Sequence, residues 1–187
     1  MDLAVTMIPD QLIERCKEGD AAGYEILYEK YSRAMYHTSL RIVNNTADAE
    51  DILQEAFIDA FRWLNTFQNR SSFGAWLKRI VVNKSINKIK REKLHFVDID
   101  QTDVHSIVEE ETENEQDIVF KVEEIKKAIK MLPAGYRTVL CLHLMEDYKH
   151  EEIAEILGIS HNTVRSQYIR AKKKLLEIIK QGGRYER

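Results

Sequence analysis

Between Thr46 and Leu64 the apolar residues Ala49, Ile52, Leu53, Ala56, Phe57, Ala60, Phe61 and Leu64 recur at alternating intervals of three and one. That spacing puts them on one stripe of an α-helix. Thr46 is the predicted N-cap, and Asp48, Glu50 and Asp51 suit the positive end of the helix dipole. Upstream, Tyr24, Leu27, Tyr31, Met35 and Val43 mark a second helix. Leu12, Ile13 and Cys16 mark a short one that stops at Gly19. Downstream, Phe73, Trp76, Leu77, Ile80 and Val81 open a fourth, and Ile86 and Ile89 continue it. Four helices over residues 10–95 can bury one core.

The pattern breaks over residues 97–117, where nine carboxylates between Asp98 and Asp117 leave too little apolar area to offset chain entropy. A flexible acidic linker is expected there. Periodicity resumes at Ile118, with Val122, Ile125, Ile129 and Leu132 on one helix. Pro133 is expected in the first turn of the next helix, which Val139, Leu140 and Leu144 carry on. The segment His150–Leu157, the turn Gly158-Ile159-Ser160 and a basic helix from His161 follow. The expected architecture is all-α: two small helical domains, 1–96 and 118–187, joined by the 97–117 linker.

Composition adds little to this and excludes much. Seven Gly and two Pro in 187 residues are too few for the many turns of a sandwich or barrel. No apolar run approaches the ~18 residues of a membrane helix. Met1-Asp2-Leu3 lacks a signal-peptide start, so a cytoplasmic location is expected. Cys16 and Cys141 each sit in an apolar pattern and read as buried thiols.

Charge changes the picture more. The net charge of −3 hides an alternation along the chain. Residues 62–96 carry nine basic and one acidic side chain, residues 97–124 one and eleven, and residues 125–187 thirteen and seven. Two basic blocks separated by an acidic stretch point to two nucleic-acid footprints.

The second footprint has a recognisable layout. Two short helices joined by a tight turn with Gly158 at its start form a helix-turn-helix, locked by Ile153, Ala154, Leu157, Ile159 and Val164. Ser160 can cap the second helix. That helix offers His161, Asn162, Thr163, Arg165, Ser166 and Gln167 near its N-terminus, where base edges are met in the major groove. Arg pairs with guanine, and Asn or Gln with adenine. Arg170, Lys172, Lys173 and Lys174 are candidates for phosphate.

Three segments, in order, resemble a known family. Asp48-Ala49-Glu50-Asp51-Ile52-Leu53-Gln54-Glu55-Ala56-Phe57 resembles the core-binding segment of bacterial RNA polymerase sigma factors. Phe73-Gly74-Ala75-Trp76-Leu77-Lys78-Arg79-Ile80-Val81-Val82-Asn83 resembles the segment that follows it. Leu132-Pro133, Tyr136-Arg137 and the helix-turn-helix with Thr163-Val164-Arg165-Ser166 resemble region four. The short chain, without a middle domain, is similar to the extracytoplasmic-function (ECF) subfamily of the sigma-70 family.

The resemblance implies that residues 1–96 are sigma region 2, binding the polymerase clamp and melting the minus-ten element. It implies that 118–187 are region 4, docking on the flap and reading the minus-thirty-five element. Polymerase contacts are then expected at Asp48, Glu50, Asp51, Gln54 and Glu55. Minus-ten contacts are expected from the loop Phe67, Gln68, Asn69, Arg70 and Ser71, which would hold a flipped base. Lys78, Arg79, Asn83, Lys84, Asn87 and Lys88 complete that set. Phe73 and Trp76 lie on the apolar stripe and read as core. Minus-thirty-five contacts are expected at His161, Asn162, Thr163, Arg165, Ser166, Gln167, Ile169, Arg170 and Lys173. Asn87 stands where many relatives carry Asp, and Gln167 where many carry Arg. The expected partners are core RNA polymerase, promoter DNA and an anti-sigma factor.

Two other classes share part of this pattern. A plain repressor or activator would share the helix-turn-helix without needing the polymerase-binding segment. An enzyme finds little support. No two of the six His lie at a His-x-x-x-His or His-Glu-x-x-His spacing. Cys141-Leu142-His143 reads as core, and no phosphate loop or nucleophile elbow appears. No catalysis, metal, cofactor or small-molecule substrate is therefore expected.

Overall fold

The computed structural model describes residues 9–68, 70–91 and 122–182. Their regular structure is entirely helical: α1 (Pro9–Lys17), α2 (Ala21–Val43), α3 (Thr46–Arg62), α4 (Phe73–Arg91), α5 (Val122–Met131), α6 (Ala134–Leu144), α7 (His150–Leu157) and α8 (His161–Gly182). A single 3-10 turn, Leu64–Thr66, follows α3. The acidic segment 97–117 lies outside the described residues. Among those described, no helix is long and apolar enough to cross a membrane. The chain divides into two compact units, Met1–Glu92 and Lys93–Arg187.

In the first unit the α3 stripe goes inward as its spacing dictates. Ala49, Ile52, Leu53, Ala56, Phe57 and Ala60 are buried on α3. They pack with Leu27 and Met35 of α2 and with Phe73, Leu77 and Val81 of α4. Burial of such side chains stabilises by about 1.5–3 kcal/mol each, so this one stripe fixes the three-helix arrangement. The cap of α3 is Asn45, one residue before the expected Thr46. Its backbone is extended and its side chain accepts the Asp48 N–H at 3.2 Å. Either residue type can cap, and the extended backbone of Asn45 decides between them. The short α1 packs closely on α2: a Cβ at Gly23 would lie 2.7 Å from the Cys16 sulfur.

In the second unit, Ile129, Leu132, Leu140, Cys141 and Ala171 form the core. Pro133 caps α6 instead of entering its first turn, and its carbonyl accepts the Arg137 N–H at 2.9 Å. Both cysteines are buried, as their patterns suggested.

Candidate nucleic-acid interface

The turn between α7 and α8 is built from its own backbone bonds. Gly158 adopts φ 69°, ψ 37°, a left-handed conformation in which glycine has no steric penalty. Its N–H and that of Ile159 both donate to the Ala154 carbonyl, at 2.8 and 3.1 Å. The Ser160 hydroxyl then accepts the Thr163 N–H at 3.0 Å, which caps α8 as expected. Ile153, Leu157 and Val164 are buried between the two helices. The turn therefore fixes the angle at which the N-terminus of α8 is presented.

On α8, His161, Asn162, Arg165 and Lys173 are exposed, while Thr163, Ser166, Ile169 and Arg170 are half-buried. The Thr163 hydroxyl is engaged by Ser160 at 2.8 Å. Asn162, Arg165, Ser166, Ile169 and Lys173 share one face by helical spacing, and that face can lie along a groove. Gln167 corrects the expectation made for it. It is only 3% exposed and its Oε1 has no hydrogen-bond partner. It sits between Val164 and Ala171 on the stripe that turns inward, so packing holds it off the outward face.

Beneath the start of α8 lies a cluster of rings. His150 packs at a tilt against His143 at 4.4 Å between centroids and against Tyr168 at 5.2 Å. His161 lies 6.1 Å from His150 and pairs with Glu151 at 3.4 Å. Burial, followed by the neighbouring His143 and His161, holds the His150 imidazole below the usual histidine range. Among the described residues, no group of three His, Cys, Asp or Glu side chains is arranged to hold a metal ion.

In the first unit, Arg79, Asn83 and Asn87 follow one another at intervals of four along α4 and are all exposed. Gln68, Arg70 and Ser71 are exposed in the preceding loop, and Asn69 lies outside the described residues. Phe67 is the second correction. It is 6% exposed and packs against Trp76 at 5.1 Å and Phe73 at 6.0 Å, so the ring anchors the loop and is not offered to a base.

Two further cations of α4, Lys84 and Lys88, face α3. Lys84 Nζ lies 3.1 Å from Glu55 Oε2 and 2.7 Å from Asp59 Oδ2, and Lys88 Nζ lies 2.7 Å from Asp48 Oδ1. Burial alone would lower the Lys84 pKa. The hydrogen bonds to Asp59 and Glu55 outweigh it and hold the ammonium above the usual lysine range. Lys78 is half-buried.

The outward face of α3 carries Glu50, Asp51, Gln54 and Glu55, all exposed, whereas Asp48 is half-buried in its pair with Lys88. One apolar residue on α3, Ile58, is unexpectedly 56% exposed, and Trp63, which caps the C-terminal end of α3, is 55% exposed. The signal for Ile58 was present, because it falls outside the otherwise unbroken apolar stripe of α3.

Comparison with known proteins agrees with this geometry. Residues 27–94 match the family described as Sigma-70 region 2, and residues 122–175 match Sigma-70, region 4. The RNA polymerase sigma-H factor of Pseudomonas aeruginosa is 31% identical over 172 residues, spanning 87% of this chain and 89% of that protein. The ECF RNA polymerase sigma factor SigW of Bacillus subtilis is 30% identical over 178 residues, spanning 90% and 95%. In fold, the chain is similar to the sigma factor RpoE solved in complex with the anti-sigma factor NepR from Bartonella quintana. That match has a TM-score of 0.55 at 23% identity and covers 84% of this chain and 96% of that one.

Proposed function

The chain belongs to the extracytoplasmic-function subfamily of the sigma-70 family, and from this premise we infer a promoter-specificity subunit that binds core RNA polymerase and directs transcription initiation. The observation that carries the reading is the pairing of two surfaces on one chain: the acidic outward face of α3 and the capped, basic recognition helix α8. Exposed Glu50, Asp51, Gln54 and Glu55 suit a basic clamp surface, with Ile58 and Trp63 as apolar anchors beside them. Gln68, Arg70, Ser71, Arg79, Asn83 and Asn87 are assigned to the minus-ten element, whose unstacked bases require polar edges beside a basic track. Asn162, Arg165 and Ser166 are assigned to bases of the minus-thirty-five element, and Arg170 and Lys173 to its phosphates.

On this reading the second unit also meets the polymerase flap. The protein carries no catalysis of its own, works in the cytoplasm, and is restrained by an anti-sigma factor, as the partner in the RpoE structure suggests. The test is reconstitution: the purified protein mixed with core polymerase and a library of promoter fragments. Co-elution with the core and run-off transcripts from a subset of promoters are expected. Specific DNA binding without core binding would instead indicate a plain repressor or activator.

A further inference from the structure

The α3–α4 seam brings a polymerase-facing helix and a DNA-facing helix together through charge. Lys84 is shared by Glu55 and Asp59, and Lys88 is engaged by Asp48. At Lys84 one ammonium meets two carboxylates, so its charge is more than matched where it sits. A phosphate reaching for Lys84 must compete with Glu55 and Asp59, although the sequence there reads as basic. The three carboxylates are not equally held. Glu55 has a side chain 64% exposed, against 35% for Asp59 and 20% for Asp48, so an outside cation can draw it away first.

We propose that this seam is a charge latch: in the free protein Glu55 and Asp59 keep Lys84 from DNA, and engagement of Glu55 by a basic polymerase surface releases Lys84 to a promoter phosphate. Lys84 is therefore a phosphate-contacting residue whose availability makes DNA binding by the first unit depend on polymerase binding. The inference rests on the reading of α3 as the polymerase face. In the closed seam Asp59 and Glu55 together raise the Lys84 pKa against the effect of burial, as expected of an ammonium that both carboxylates hold. Ion pairs this exposed are weak in net energy, which suits a contact that must open on binding.

The free full-length protein tests the latch without polymerase. Binding of a fluorescein-labelled oligothymidylate strand is followed by anisotropy over a salt series. Glu55→Gln with Asp59→Asn should bind several-fold more tightly at low salt than the native chain. The log–log salt dependence should steepen by about 0.7, the increment for one added phosphate contact on a single strand. Adding Lys84→Met to that variant should remove both the gain and the steepening. Equal affinity and slope for the native and double-variant proteins would overturn the latch. A gain that survives Lys84→Met would also overturn it, since the gain would then be a general loss of negative charge.

Should the double variant melt at a lower temperature, Glu55→Gln alone is the second arm, because that side chain is exposed. A smaller gain of the same sign is expected, and none would overturn the proposal. Core binding of Asp51→Lys is measured in parallel. Undiminished core binding there refutes the polymerase reading, whereas the anisotropy series judges the latch.

Discussion

Gly158 sets the turn between α7 and α8 with a φ of 69°. Gly158→Ala should destabilise the second unit by about 1–2 kcal/mol, the usual cost of a side chain in the left-handed region. A shift of its denaturant midpoint with unchanged slope checks this. Arg165 and Lys173 stand on one face of α8 and should respond differently. Arg165→Ala should cost ~1–3 kcal/mol, confined to one base position if the guanidinium reads a base. Lys173→Ala should weaken all sequences alike and lower the salt slope by about 0.9 on duplex DNA. Binding measured on a set of single-base promoter variants over a salt series separates the two. An Arg165→Ala protein with unchanged base preference would move the reading role elsewhere on α8.

At the scale of elements, the ring cluster joining α6, α7 and α8 makes the helix-turn-helix sensitive to acid. His150 packs on His143 and Tyr168, and Glu151, His161 and Arg165 act on it from α7 and α8. Its folded-state pKa lies below the unfolded value of about 6.5, so the unfolded chain takes up the proton first. The stability of the second unit should therefore fall as pH drops through about 6.5 and level off once the folded state is protonated too. His150→Phe, which keeps a flat ring in place, should flatten that fall in thermal melts followed across the range. An unaltered pH slope in this variant would remove His150 as the source of the effect.

The same scale shows what could be read beforehand. The α3 stripe, the Gly158 turn and the Ser160 cap were legible because each depends on residues within a few positions of one another. Gln167 and Phe67 were misplaced, although the intervals 164, 167 and 171, and the aromatic spacing of 67, 73 and 76, already pointed inward. Nearness to the helix N-terminus suggested an outward Gln167, and the family resemblance an open Phe67, where periodicity turns both inward. The pairing of Lys84 with Glu55 and Asp59 was not legible, because it depends on how α3 and α4 register across the core, which no local pattern states.

For the whole molecule, the charge blocks of the sequence and the charges of the surface are different quantities. The basic stretch 62–96 loses the reach of Lys84 and Lys88 to α3, while Arg79, Asn83 and Asn87 remain outward. Polymerase binding should depend on the face that stays acidic. Asp51→Lys should weaken core binding, because like charges would then meet across the interface, and the fold should be retained since the site is exposed. Competition for core polymerase against the native protein, with circular dichroism as the folding control, measures both. Undiminished competition by a folded variant would remove Asp51 from the interface.

The Phe67–Phe73–Trp76 packing also has a consequence over evolutionary time. The exposed Gln68, Arg70 and Ser71 lie in the chain between Phe67 and Phe73, buried rings that touch each other, so these side chains contribute little to stability. Descendants can exchange Gln68, Arg70 or Ser71 with almost no penalty in folding, whereas a change at either phenylalanine is purged by misfolding. Under the proposed minus-ten role of these residues, a lineage can acquire new target genes by drift at the rim while inheriting the same scaffold underneath.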